Sequence, residues 1–152
     1  MKVCVNVAII NKGQILLTRR NDIEGWYMPG GQVEEDETVA EAALREALGE
    51  TGLEVQLVNL VGIYSMPKSQ ASCDLIVLFA AYPTGGNLDL TENKVGEIQY
   101  FDTNRIPQDM PRGQRQRIED ALNRNGRRVV WLENKPFDDA ADRGELFGMQ
   151  SG

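Results

Sequence analysis

The 152-residue chain contains no histidine, and that single absence removes the commonest general base, nucleophile partner and zinc ligand together. Any chemistry must therefore rest on carboxylates, hydroxyls, basic side chains or bound metal. Only two cysteines occur, Cys4 and Cys73, far apart and without Cys-x-x-Cys spacing. Small buried thiols are the expectation, ahead of a disulfide or a zinc site. No apolar run approaches the ~20 residues needed to span a bilayer, so no membrane association is expected. Met1-Lys2-Val3-Cys4 enters an alternating pattern without a signal-peptide block, which makes the cytoplasm the expected location. Basic residues are scarce, 16 against 23 acidic for a net charge of −7, which argues against a sequence-independent grip on nucleic acid. A polyanionic substrate would have to be met by metal cations or local arginines.

What is present has the length of one domain, 1–152, with the last stretch, about 133–152, standing apart as an acidic extension of unassigned role. Val3, Val5, Val7 and Ile9 alternate with Cys4, Asn6, Ala8 and Ile10, the period of a strand with one well-buried face. A turn at Asn11-Lys12-Gly13 and a strand over Gln14 to Arg19 complete a predicted hairpin. Trp26-Tyr27-Met28 reads as a short strand stopped by Pro29-Gly30-Gly31, a combination that lets backbone approach another group closely. Thr38 and Glu41 have capping-box spacing and Gly52 can cap the far end, which predicts a helix over about 38–51. Strands are expected over 54–65 and 71–82, joined by a turn near Pro67, then over 97–101, with a helix over 113–125 and a last strand over 127–132. Strands with two interspersed helices indicate an α/β or α+β domain with a mixed sheet.

At about 100° per residue, Ala40, Ala43, Leu44, Ala47, Leu48 and Thr51 share the helix face expected to pack on the sheet. Glu46 and Glu50 lie along one edge of that face, one turn apart, where like charges cost a few tenths of a kcal/mol. Gly49 adds about 1 kcal/mol relative to alanine. Local rules broken side by side mark functional positions, and a divalent cation held by both glutamates would turn repulsion into binding. Hard oxygen ligands favour magnesium or manganese over zinc. Two glutamates alone are equally readable as a solvated acidic face.

The surrounding spacing separates these readings. From Gly31, five residues lead to Glu37 and seven more to Arg45-Glu46, followed by Ala47-Leu48-Gly49-Glu50-Thr51-Gly52-Leu53. This resembles the Nudix box at every fixed position but one, Gly49, where the family has the first of two paired glutamates. Leu16 to Arg20, Trp26 to Gly31 and Glu97 to Phe101 are similar to flanking strands of that family, so the resemblance covers about residues 1–132.

The resemblance implies a Nudix-like α/β/α sandwich and a metal-dependent hydrolase cleaving a pyrophosphate bond in a small nucleotide substrate, with Mg2+ or Mn2+ as cofactor. Glu46 and Glu50 match the glutamates that hold metal, joined by a backbone carbonyl of Gly30 or Gly31. Arg45 matches the arginine that orients a carboxylate, against or beside an ion pair with Glu41, and Glu37 matches the glutamate that supports the box. Glu97 is the candidate base or ligand outside the box, or an exposed strand residue; Arg20 could meet a substrate phosphate, or be a surface charge. Trp26 and Tyr27 could stack on a base or belong to the core. Pro67 follows Leu53 at about the distance of a proline in ADP-ribose-cleaving members, which leans the substrate toward ADP-ribose or a similar nucleotide sugar. Nucleoside triphosphates are the second expectation, a non-catalytic nucleotide-binding module the third, and a homodimer is left open.

Overall fold

The computed structural model describes residues 1–66, 73–89 and 95–123. The expected strand over 127–132, the turn near Pro67 and the acidic extension from 133 lie outside them. Among the described residues the elements run β1 (Val3–Asn11), β2 (Gln14–Arg20), β3 (Trp26–Tyr27), β4 (Gly30–Gln32), α1 (Val39–Thr51), β5 (Leu53–Ser65), β6 (Leu75–Gly86), β7 (Val95–Asp102) and α2 (Arg112–Ala121).

β1 is the spine of a mixed sheet ordered β3-β2-β1-β6-β5, and β7 adds to β2. One edge of β1 pairs in parallel with β6 from Val3 opposite Leu75 to Ile9 opposite Ala81. Its other edge is shared. The end, Ile10 and Asn11, turns through Lys12 and Gly13, both at positive φ, into β2, the left-handed pair that a two-residue hairpin needs. The beginning, Cys4 to Asn6, pairs instead with β4, a strand that the sequence presents only as a chain-breaking Pro-Gly-Gly.

The strict alternation in β1 predicts one buried face, yet the structure buries Cys4 through Ile9 on both sides. Val5, Val7 and Ile9 pack with Ala42, Ala43 and Ala47 of α1, while Cys4 and Ala8 join the cluster that contains Ile118 of α2. A central strand with a parallel neighbour is covered on both faces, and its near-continuous apolar run is the mark of that position. The result is the expected α/β/α arrangement with a mixed sheet.

α1 begins and ends as its caps dictate: Thr38 and Glu41 form the reciprocal capping box and Gly52 closes the helix at φ 80°. A Cβ on Gly52 would stand 2.2 Å from the Asn87 carbonyl oxygen, so the tight exit into β5 also requires glycine. The buried face differs from the expected one. Ala42, Ala43, Ala47 and Thr51 face the sheet, whereas Leu44 and Leu48 are 42% and 51% exposed. Small side chains let the helix axis approach the sheet, and the bulkier leucines turn to its flank.

The two cysteines also depart from expectation, being joined as a disulfide. The parallel β1–β6 register places Cys4 opposite Ile76, so Cys73, just ahead of β6, comes within 6.0 Å Cα to Cα. No helix among the described residues is long and apolar enough to cross a membrane.

The division of α1 between buried alanines and exposed leucines is open to a direct test by chemical denaturation. Ala47→Leu, which overfills a fully buried position, is expected to destabilise by ~1–3 kcal/mol. Leu48→Gln, at an exposed one, is expected to change stability by less than ~0.5 kcal/mol.

Candidate active site

The place where β1 changes partner is where α1 meets the glycine strand. A Cβ on Gly30 would lie 2.1 Å from the Val5 carbonyl oxygen and 2.6 Å from Asn6 Nδ2. A Cβ on Gly31 would lie 2.6 Å from a Glu46 carboxylate oxygen. Both glycines are therefore demanded by close approach, one to β1 and one to the helix carboxylate. The Gly30 N–H donates to Glu50 Oε1 at 3.1 Å, so Glu46 and Glu50 of α1 close on this two-residue stretch of backbone.

Arg45 fixes the arrangement from the side. Its Nε and Nη2 donate to the two carboxylate oxygens of Glu37 at 2.6 and 2.9 Å, Nη1 donates to Glu46 Oε1 at 2.7 Å, and Nη2 also reaches the Gln32 carbonyl at 3.0 Å. A planar five-donor fork suits this task and an ammonium group would not. The alternative pair with Glu41 does not form, because the Glu41 carboxylate accepts from the Thr38 N–H in the capping box. Glu37 accepts in addition from the Glu34 N–H, and Arg45 followed by this backbone bond holds its carboxyl down at about 2. Glu34, which the sequence shows only as part of an acidic stretch, brings its carboxylate within 3.5 Å of Arg45.

Glu50 behaves in the opposite way. Burial first, and then the neighbouring Glu46 charge, push it up to about 7, against the opposing pull of the Gly30 N–H and Arg20. A buried carboxylate whose charge is disfavoured, set beside a second carboxylate, is a donor set suited to a hard divalent cation. Among the described residues no group of three or more aspartate, glutamate or cysteine side chains is placed to hold a metal ion, so the pair stands as two carboxylates beside the Gly30–Gly31 backbone. A Cβ on Gly49 meets nothing within 4 Å, so the position that departs from the box has room for a side chain.

Arg20, at the end of β2, is near enough for its charge to act on Glu50, but its guanidinium is engaged by Asp22 at 2.9 and 2.7 Å. Glu97 is not brought to the pair. It stands opposite Arg19 in the β2–β7 ladder and accepts from Arg19 Nη1 at 3.3 Å. Ile15 and Leu17, which share the Arg19 side of β2, pack in the α2 cluster, whereas Leu16, Ile98 and Tyr100 pack in the α1 cluster. Strand alternation thus points Glu97 away from α1. Trp26 belongs to the core, 5% exposed, edge-on to Phe101 and covered by Arg19. The residues that sequence reasoning missed lie under α2: Gln114, Arg117 and Asp120 are buried polar side chains in a helix whose one buried aliphatic is Ile118. A polar helix that nonetheless docks is the signal that could have exposed them.

Because its folded value lies above the ordinary 4.5, Glu50 contributes stability that is fully present below 4.5 and lost as pH rises through about 7. Metal-free protein, denatured with urea in the presence of chelator, is expected to lose up to ~3 kcal/mol relative to Glu50→Gln across that window. Added Mg2+ is expected to restore the wild type but not the variant. A wild-type and variant difference that is flat with pH would contradict the placement of Glu50.

The model of the NUDIX domain family matches residues 1–121. A Bacillus subtilis (strain 168) protein provisionally named an 8-oxo-dGTP diphosphatase is 35% identical over 118 residues, spanning 77% of each chain. The ADP-ribose pyrophosphatase of Methanocaldococcus jannaschii is 37% identical over 109 residues, 69% of this chain and 64% of that one. In three dimensions, an ADP-ribose pyrophosphatase from Streptococcus suis 89-1591 superposes with a TM-score of 0.70 over 88% of this chain and 98% of that one, at 21% identity, which speaks to fold. With the box, the glycine strand and the sandwich in agreement, the chain belongs to the Nudix hydrolase family.

Proposed function

We propose that the chain hydrolyses the pyrophosphate bond of a nucleoside diphosphate derivative, ADP-ribose or a similar nucleotide sugar, with Mg2+ or Mn2+ held by Glu46, Glu50 and a backbone carbonyl of Gly30 or Gly31. The observation that carries this reading is the convergence of both α1 carboxylates on the Gly30–Gly31 backbone. When bound, the cation would offset the diphosphate charge and make a nearby water more acidic. Arg45 holds Glu46 through Oε1, and the described hydrogen bonds do not engage Oε2, which can accept the proton of the attacking water. Arg45 is itself locked by Glu37, so the base is held on a rigid mount, and that geometry favours reaction over mere binding. Arg20 can turn from Asp22 to a phosphate oxygen, exchanging one bidentate acceptor for another.

The name of the M. jannaschii protein supports the ADP-ribose reading, and that of the B. subtilis protein supports nucleoside triphosphates as the second. A panel of ADP-ribose, nucleotide sugars, dinucleoside polyphosphates and nucleoside triphosphates, ranked by kcat/KM, separates them. A clear margin for triphosphates would overturn the first reading, and tight nucleotide binding without turnover would favour a regulatory module.

Glu46→Gln is expected to lower turnover by at least ~100-fold, and chelation to abolish it. Unchanged turnover in that variant would remove Glu46 from the chemistry. Gly49→Glu, which fills open space beside the pair, is expected to lower the Mg2+ concentration needed for half-maximal rate. It is also expected to raise the stability of the metal-loaded protein by up to ~1 kcal/mol, glutamate being the better helix former. A metal requirement indifferent to the change would mean that position 49 does not face the cation.

A further inference from the structure

The glycine strand is gripped from both faces of the sheet. Met28 lies between β3 and β4, only 2% exposed, with no ladder partner for its N–H. A buried N–H left without an acceptor is strongly disfavoured. Gln114, reaching through from α2, supplies the acceptor: its Oε1 takes the Met28 N–H at 2.8 Å. One turn along α2, Arg117 Nε donates to Asn6 Oδ1 at 2.9 Å. Asn6 is the register partner of Gly30, and its Nδ2 occupies the space a Gly30 side chain would need. Between these anchors the Pro29 carbonyl accepts from the Val7 N–H. Gln114 and Arg117 are 5% and 4% exposed, so neither is placed to meet solvent.

We infer that Gln114 and Arg117 are positioning residues for the carboxylate pair: from the far face of the sheet they fix the Gly30–Gly31 backbone on which Glu46 and Glu50 close. Met28 is tied to α2 and Gly30 to α1, so the three-residue stretch from Met28 to Gly30 links the two helices through the layer that separates them. Loss of the Gln114 acceptor frees Met28, and the displacement reaches the Gly30 N–H that Glu50 accepts. The inference rests on the proposed cation site for its consequence in metal binding, but not for its consequence in the backbone.

The test uses Gln114→Met, which keeps the shape and loses the acceptor, Gln114→Asn, which keeps the amide and loses the reach, and Gln114→Glu, which restores an acceptor at full length. In metal-free protein, amide exchange at Gly30 is expected to quicken by about tenfold relative to a core amide such as Ile9 in the Met and Asn variants, and to return toward wild type in the Glu variant. Mg2+ titration by calorimetry is expected to show affinity weakened by about tenfold in the first two variants, with recovery in the third. The inference is overturned if Gly30 exchange is unchanged in whichever of the Met and Asn variants folds, or if exchange quickens and Glu fails to recover it. Wild-type protein that binds no Mg2+ would sink the cation reading alone, and the exchange measurement still decides this one.

Discussion

Everything in this site follows from holding two carboxylates one helical turn apart against the sheet. Glu46 and Glu50 share the inward edge of α1, and burial first, then the Glu46 charge, push Glu50 up to about 7. A helix alone would relieve this by letting the side chains swing to solvent. Here the capped ends fix the helix, small alanines draw it against the sheet, and a strand without side chains is brought up to meet the carboxylates. The fold thus stores an electrostatic mismatch that a cation would discharge, and the surrounding arginine clamp keeps the mismatch from relaxing by rotation of Glu46. Arg45 can do so because Glu37 answers its charge, which leaves Glu37 held at about 2 and fully ionised near neutrality.

Much of this was readable from the chain because the signals are local. Thr38, Glu41 and Gly52 mark the helix ends through interactions within a turn, and the Gly31-to-Leu53 spacing fixes the order of Glu37, Arg45, Glu46 and Glu50. The failures are all nonlocal or involve residues whose identity is ambiguous. Alanine fits a buried face or an exposed one, so the wheel places Leu44 and Leu48 beside Ala43 and Ala47, when the close-packed arc is Ala42, Ala43 and Ala47. Cys4 and Cys73 meet only because β1 and β6 run in parallel register, 69 residues apart in sequence. Glu97 required knowledge that β7 pairs with β2 and that Arg19 is its partner; with that, period-two alternation assigns it to the α2 side.

Gly30 and Gly31 show why the strand itself was hidden. Propensity reads Pro-Gly-Gly as an interruption, and strand interiors normally disfavour glycine. Here the same absence of side chains is what allows pairing with β1 on one side and contact with Glu46 on the other. A strand that brings backbone close to side-chain carboxylates carries the composition of a loop, so composition alone misassigns it.

Gly49 bears on how such a site shares its work with the substrate. Mg2+ demands near-octahedral oxygen coordination, and proteins commonly supply one or two carboxylates and leave the remaining positions to water and substrate phosphate oxygens. If the proposed site holds a cation through Glu46 and Glu50, at most two negative charges come from the protein, and a substrate diphosphate would be a larger part of the ligand set than beside three carboxylates. Cation and substrate would then bind as a linked pair, each raising affinity for the other by the same factor. The open space at position 49 means that steric exclusion does not impose this economy; the sequence at one residue does. In the proposed reading, metal affinity in the absence of substrate would be the property most directly set by that glycine, whereas the orientation of Glu46, fixed by Arg45 and Glu37, is independent of it.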